Sequence, residues 1–166
     1  MTDAPVWHQV AKAQIGVKEV PGAKSSPVIL QWAGKVGRRL GIAYTDDATP
    51  WCGLFVAYVM QAAGFTPPDI AVRAKAWADW GQPCEPQLGA VLVFGRKGGG
   101  HVCWYLGENK IAFQVLGANQ NDSVNVTWIA KDRLVASRWP PGATLPARPV
   151  RVIGAQGPAA LSTNEA

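Results

Sequence analysis

The hydrophobic period of this chain changes once, near Gly89, and that change constrains the fold more than any other feature. Before it, apolar residues recur at helical spacing. After it, short runs alternate or stay apolar between turn residues. Residues 4 to about 16 predict a first amphipathic helix, with Val6, Val10, Ala13 and Val17 near one face. "PVILQWAGKVG" (27–37) opens on proline and closes on glycine, the usual punctuation of a helix. In "DDATPWCGLFVAYVM", Thr49 is a candidate cap and Pro50 suits a first turn. Cys52, Phe55, Val56, Val59 and Ala63 then follow on one face, with Gly64 as the stop. "IAVRAKAWADWG" predicts one more short helix. Beyond Gly89, "GAVLVFG", "HVCWYLG", "KIAFQVLG", "SVNVTWI" and "RLVASRWP" predict strands, the second and third joined as a hairpin through "GEN". Helices first and an antiparallel sheet second predict an α+β fold. The 166 residues fit one domain over 1–140, followed by a Pro/Ala/Gly-rich, partly disordered tail over 141–166.

Composition excludes several classes. The net charge of +5 suits an anionic partner, but no dense basic run with interleaved aromatics points to nucleic acid. Three cysteines and two histidines without a C-x-x-C pair make neither a disulfide framework nor a zinc site, so no metal and no cofactor is expected. A Cys84–Cys103 bridge is allowed but not argued by the spacing. "MTDAPVWHQV" lacks the apolar core of a secretory signal, and no run reaches the roughly 20 residues of a membrane span. The expectation is a monomer made in the cytoplasm that acts elsewhere after release or delivery. Eight tryptophans suggest a core together with a substrate groove walled by aromatics.

A buried cysteine is most often a small hydrophobe. Cys52, however, falls in the first turn of its helix, where free N–H groups and the helix dipole favour a thiolate. A thiol nucleophile needs a base, and His101 is the candidate, since His8 lies in the first helix. His101 follows the glycine-rich "GRKGGG" and opens a strand. Packing the cysteine helix on the sheet would bring the two together.

"PWCGLFVAYVM", followed by "GGGHVCWYLGENK" and "VLGANQNDSV", resembles the papain-like cell-wall hydrolases of the CHAP family (cysteine, histidine-dependent amidohydrolase/peptidase) and their NlpC-type relatives. The upstream "GVKEVPG" and "SSPVILQW" are similar to the phage- and bacteria-encoded branch. The similarity runs from about residue 7 to 139. It implies a papain-like fold that cleaves an amide bond in or next to the stem peptide of bacterial peptidoglycan, as an endolysin, a virion-associated lysin or an antibacterial effector. CHAP domains carry a Glu-x-Asn pattern after the histidine. Here the asparagine is Asn119, whereas the glutamate position holds Gly117. The resemblance therefore implies a Cys52–His101–Asn119 triad, with Gln114 as the alternative orienting residue.

Trp51 and Asp47 are the candidate substrate-binding residues. Asp46 and Asp47 together make a poor calcium site, so bracing the loop is the competing reading. Cys103 alternates in phase with His101 and is expected to be a core thiol. Two other functions remain open on this sequence: a non-catalytic wall-binding module, and a cysteine hydrolase or acyltransferase with a protein or lipid substrate.

Overall fold

The computed structural model describes residues 4–20, 25–42, 50–96 and 98–154. Three helices precede an antiparallel sheet: α1 (Val6–Lys12), α2 (Pro27–Val36) and α3 (Cys52–Ala62), then β1 (Gln82–Pro83), β2 (Val91–Arg96), β3 (Gly99–Glu108), β4 (Ala112–Gln120), β5 (Ser123–Ala130) and β6 (Leu134–Trp139). The strand order is β1-β6-β2-β3-β4-β5. The α+β class and the helix-then-sheet order are as the sequence predicts.

Helix α2 forms where its punctuation says. The Ser26 hydroxyl accepts from the Ile29 N–H at 3.4 Å, Pro27 occupies the first turn, and Gly37 (φ 65°) ends the helix. Helix α3 lies at the centre of the molecule. Cys52, Gly53, Leu54, Phe55, Val56, Ala57, Val59 and Met60 are all buried, so it is covered on nearly every side. On one side, Trp32 of α2 meets Phe55 and stacks on Tyr58, both with ring centroids 5.2 Å apart. On another, Phe55 stands edge-on to Trp104 of β3 at 5.5 Å. Truncating Phe55 there would cost about 3–5 kcal/mol.

Several expectations are corrected. Helix α1 stops at Lys12, and the chain from Gly16 to Glu19 instead lies along the outer edge of β5. Gly16 N–H donates to Val124 O, Val124 N–H to Val17 O, and Glu19 N–H to Asp122 O. The short helix predicted in 70–81 is present, in 3-10 form, over Ala74–Asp79. Residues 150–152 of the expected tail pair with the domain. Leu88 N–H donates to Val150 O and Glu108 N–H to Val152 O, both at 2.8 Å, while Arg151 forks onto the Glu108 carboxylate at 2.7 and 2.8 Å. All eight tryptophans are buried, so the aromatic excess belongs to the core and not to a groove. Among the described residues, no helix is long and apolar enough to cross a membrane.

Candidate active site

Cys52 is the first residue of α3, and Trp51 before it is the N-cap without a side-chain cap bond. The expected cap, Thr49, lies outside the described residues, as do Asp46 and Asp47. What fixes the helix start is Trp51 itself. Its ring is fully buried and tilted against Trp32, and its indole N–H donates to Glu19 Oε1 at 2.7 Å. Trp51 is thus an anchor for the start of α3 and not a groove wall, which corrects its assignment to substrate binding. Glu19, in the chain along β5, thus supports the start of α3. Gly53 is needed for a steric reason: a Cβ there would fall on Ala71 O and stand 2.7 Å from Val72 O. The 71–72 segment can press against the helix start only because residue 53 has no side chain.

Register shows where the thiol meets the sheet. Backbone N–H groups of an antiparallel strand point alternately to its two neighbours. Tyr105 N–H bonds Ala90 O, towards β2, so the N–H of Val102, three residues earlier, points towards β4. The β3–β4 pairing, however, reaches only to Trp104 opposite Leu116. Val102 lies beyond it, and its N–H is directed at the Cys52 sulfur. The thiol therefore occupies the end of the β3–β4 ladder, beside the residue that follows His101.

His101 is fully buried, and its Nε2 lies 2.9 Å from Gln120 Oε1. This corrects the assignment of Asn119 as the orienting residue. Asn119 is in the left-handed conformation (φ 58°), within a bulge that places one extra residue on β4 between the Gly117–Asn125 and Gln120–Ser123 pairs. The extra residue reverses the alternation, so Gln120 takes the strand face that Asn119 would otherwise share with Gly117. Gly117 leaves the room: a Cβ there would stand 2.6 Å from Gln120 Oε1 and 2.8 Å from Cys103 Cβ. Gln114 is opposite Gly107, six residues along β3 from His101, roughly 20 Å away at about 3.3 Å per residue.

The network fixes the imidazole tautomer. Gln120 Nε2 donates to Asn125 O and Asn125 Oδ1, both at 2.9 Å, and Asn125 Nδ2 returns a bond to Gln120 O at 2.7 Å. With its amide nitrogen so engaged, Gln120 presents its oxygen to the ring, and that oxygen only accepts. His101 Nε2 must carry the proton, which leaves the lone pair on Nδ1.

Burial pushes the Cys52 thiol above its ordinary pKa. The N–H groups of Val102 and Gly53, the charge of Arg96 and the N–H of Cys52 itself pull it part of the way back. The helix-start effect is present, but burial outweighs it. A cavity of about 410 Å3 reaches Cys52, lined by Ile42, Pro50, Val72 and Ala74, by Gly98, Gly99 and Gly100, and by Arg73, Lys75 and Arg96.

The remaining cysteines stand apart from this chemistry. Cys103 is buried with its thiol 3.8 Å from Leu92 O, and half-buried Cys84 lies 3.6 Å from Ser137 Oγ; none of the three cysteines is in a disulfide. Among the described residues, no group of three His, Cys, Asp or Glu side chains is placed to hold a metal ion. No known family, curated protein or solved structure matches the chain.

Proposed function

We propose that this protein is a cysteine hydrolase of papain-like design that cuts an amide bond in or next to the stem peptide of peptidoglycan. The observation that carries the reading is the arrangement at the open end of β3 and β4. Cys52 at a helix start faces the Val102 N–H, and the neighbouring His101 is held by Gln120 with its proton on Nε2. A non-catalytic binding module would have no use for an imidazole held in one tautomer by the Gln120 and Asn125 side chains. The cavity favours a peptide over a glycan strand, since no tryptophan is on its wall to stack on a sugar ring.

In the mechanism, His101 Nδ1 takes the Cys52 proton as the sulfur attacks the amide carbonyl, and Nε2–H stays on Gln120. The developing oxyanion takes hydrogen bonds from N–H groups at the helix start, that of Cys52 first. Collapse of the tetrahedral intermediate breaks the C–N bond, and Nδ1 returns its proton to the leaving amine. Water, deprotonated by Nδ1, then attacks the thioester and releases the acid and the free thiol.

The test is digestion of purified sacculi, with mass analysis of the products. The wild type should release fragments with one new amine and one new carboxyl, which also identifies the bond. Cys52→Ala should release none while unfolding at an unchanged temperature. Digestion by Cys52→Ala within a few-fold of wild type would refute the thiol mechanism.

A further inference from the structure

The cavity at Cys52 has one chemical feature that amide hydrolysis alone does not require: three cations, Arg73, Lys75 and Arg96, on its wall. Two of them converge on the same stretch of backbone. A Cβ at Gly100 would lie 3.2 Å from Lys75 Cγ, and one at Gly99 would lie 3.5 Å from an Arg96 guanidinium nitrogen. Arg96 Nε also donates to Gly100 O at 3.4 Å. Gly100 and Cys52 line the same cavity, so the charges stand on the wall that Cys52 also lines. Among the described residues none of the three is in an ion pair with a carboxylate, whereas Arg39, Lys131 and Arg151 elsewhere all are.

We infer that Arg96 and Lys75, with Arg73 at the rim, form an anion subsite that selects peptides carrying a free carboxylate within about one residue of the scissile amide. Resting on the hydrolase reading above, this names its substrate class: acidic peptides. A guanidinium grips a carboxylate through two parallel N–H bonds, and the ammonium adds a point charge. All three side chains are solvent-exposed, so the preference should weaken with added salt. The glycines serve the same end. A Cβ at residue 100 would crowd the Lys75 stem, and one at residue 99 would touch the Arg96 guanidinium.

The experiment uses two synthetic stem peptides, identical except that the α-carboxyl of the γ-linked glutamate is free in one and amidated in the other. Binding of each is measured by calorimetry to the full-length Cys52→Ala protein, which cannot turn them over. The free acid should bind at least tenfold more tightly. Adding Arg96→Gln and Lys75→Gln should reduce the difference to less than threefold while affinity for the amidated peptide is kept. Equal affinity for the two peptides, a preference that survives both replacements, or binding of neither would overturn the subsite. Turnover of the same peptides by the wild type reports separately on hydrolysis, so loss of the subsite and loss of the hydrolase reading give different results.

Discussion

Replacing Gln120 by alanine tests the proposed site most directly, because it removes the amide oxygen 2.9 Å from the imidazole Nε2 without touching Cys52 or His101. In the ground state Gln120 Oε1 accepts from a neutral ring N–H, a bond worth about 0.5–1.5 kcal/mol. In the transition state the ring is an imidazolium and the bond becomes charge-assisted, worth about 1.5–3 kcal/mol. Only the difference, roughly 1–1.5 kcal/mol, affects turnover, which corresponds to about a 5- to 10-fold loss. Freeing the ring to rotate or change tautomer adds to this, giving a total of roughly 10- to 1000-fold in kcat with little change in KM. The assay is steady-state release of soluble fragments from dyed sacculi. Asn119→Gly is the control, since glycine adopts the left-handed backbone at 119 and preserves the bulge. It should keep most of the activity. Gln120→Glu should keep part of it, with the acid limb of the pH profile moved upward. A carboxylate beside the ring favours the imidazolium, so the basic form is lost at a higher pH. A neutral Gln120→Ala together with a crippled Asn119→Gly would refute the assignment.

Two further predictions concern acid. Burial alone would raise the Glu108 carboxyl, but hydrogen bonds from Arg151, Lys131 and Tyr105 hold it down at about 2. Its folded pKa is below the unfolded one, so its contribution, of order 3 kcal/mol, is complete above about pH 4.5 and is lost as the pH falls towards 2; Glu108→Gln should remove that slope in urea titrations. His8 is fully buried with neither ring nitrogen hydrogen-bonded, and burial, with a smaller effect from Lys12, lowers it to about 4. The unfolded chain takes up this proton near pH 6.5 and the folded one near 4. Stability should therefore fall by a similar amount between those values, and His8→Phe should flatten that window.

The elements that were legible in the sequence are those fixed by local chemistry. Ser26, Pro27 and Gly37 bound α2 without help from the rest of the chain, and the alternation from Gly89 onward sets β2 to β5. The places of Cys52 at a helix start and of His101 near a strand start were legible for the same reason, since both can be read locally. The orienting residue was not, because its position depends on the parity of a strand, and one left-handed residue reverses parity. An Asn directly before Gln in "ANQND" is the signal that such a bulge is allowed, since asparagine tolerates that backbone best after glycine. The segment 146–154 reads as a tail by composition. What orders it is backbone pairing to Leu88 and Glu108 and the Arg151 fork, all long-range. Glu19 and Gly53 act through Trp51 and the Ala71–Val72 carbonyls, partners far enough along the chain that spacing carries no trace of them.

A helix start is not enough to ionise a thiol. At Cys52 the N–H groups and Arg96 act in the expected direction, yet desolvation is the larger effect and the thiol lies above its ordinary pKa. An exposed cysteine is already only a few per cent thiolate at neutral pH, and every further unit upward reduces that tenfold. The resting site therefore holds Cys52 as the thiol, and in the proposed mechanism its proton transfer to Nδ1 accompanies attack instead of preceding it. Alkylation reads this out. At neutral pH, iodoacetamide should modify Cys52 more slowly than it modifies free cysteine, with peptide mapping used to separate it from Cys84 and Cys103. The rate should fall further as the medium is acidified. Modification faster than free cysteine that persists into mildly acidic solution would mean a preformed thiolate–imidazolium pair, and the proton would have to be placed on Nδ1 from the start.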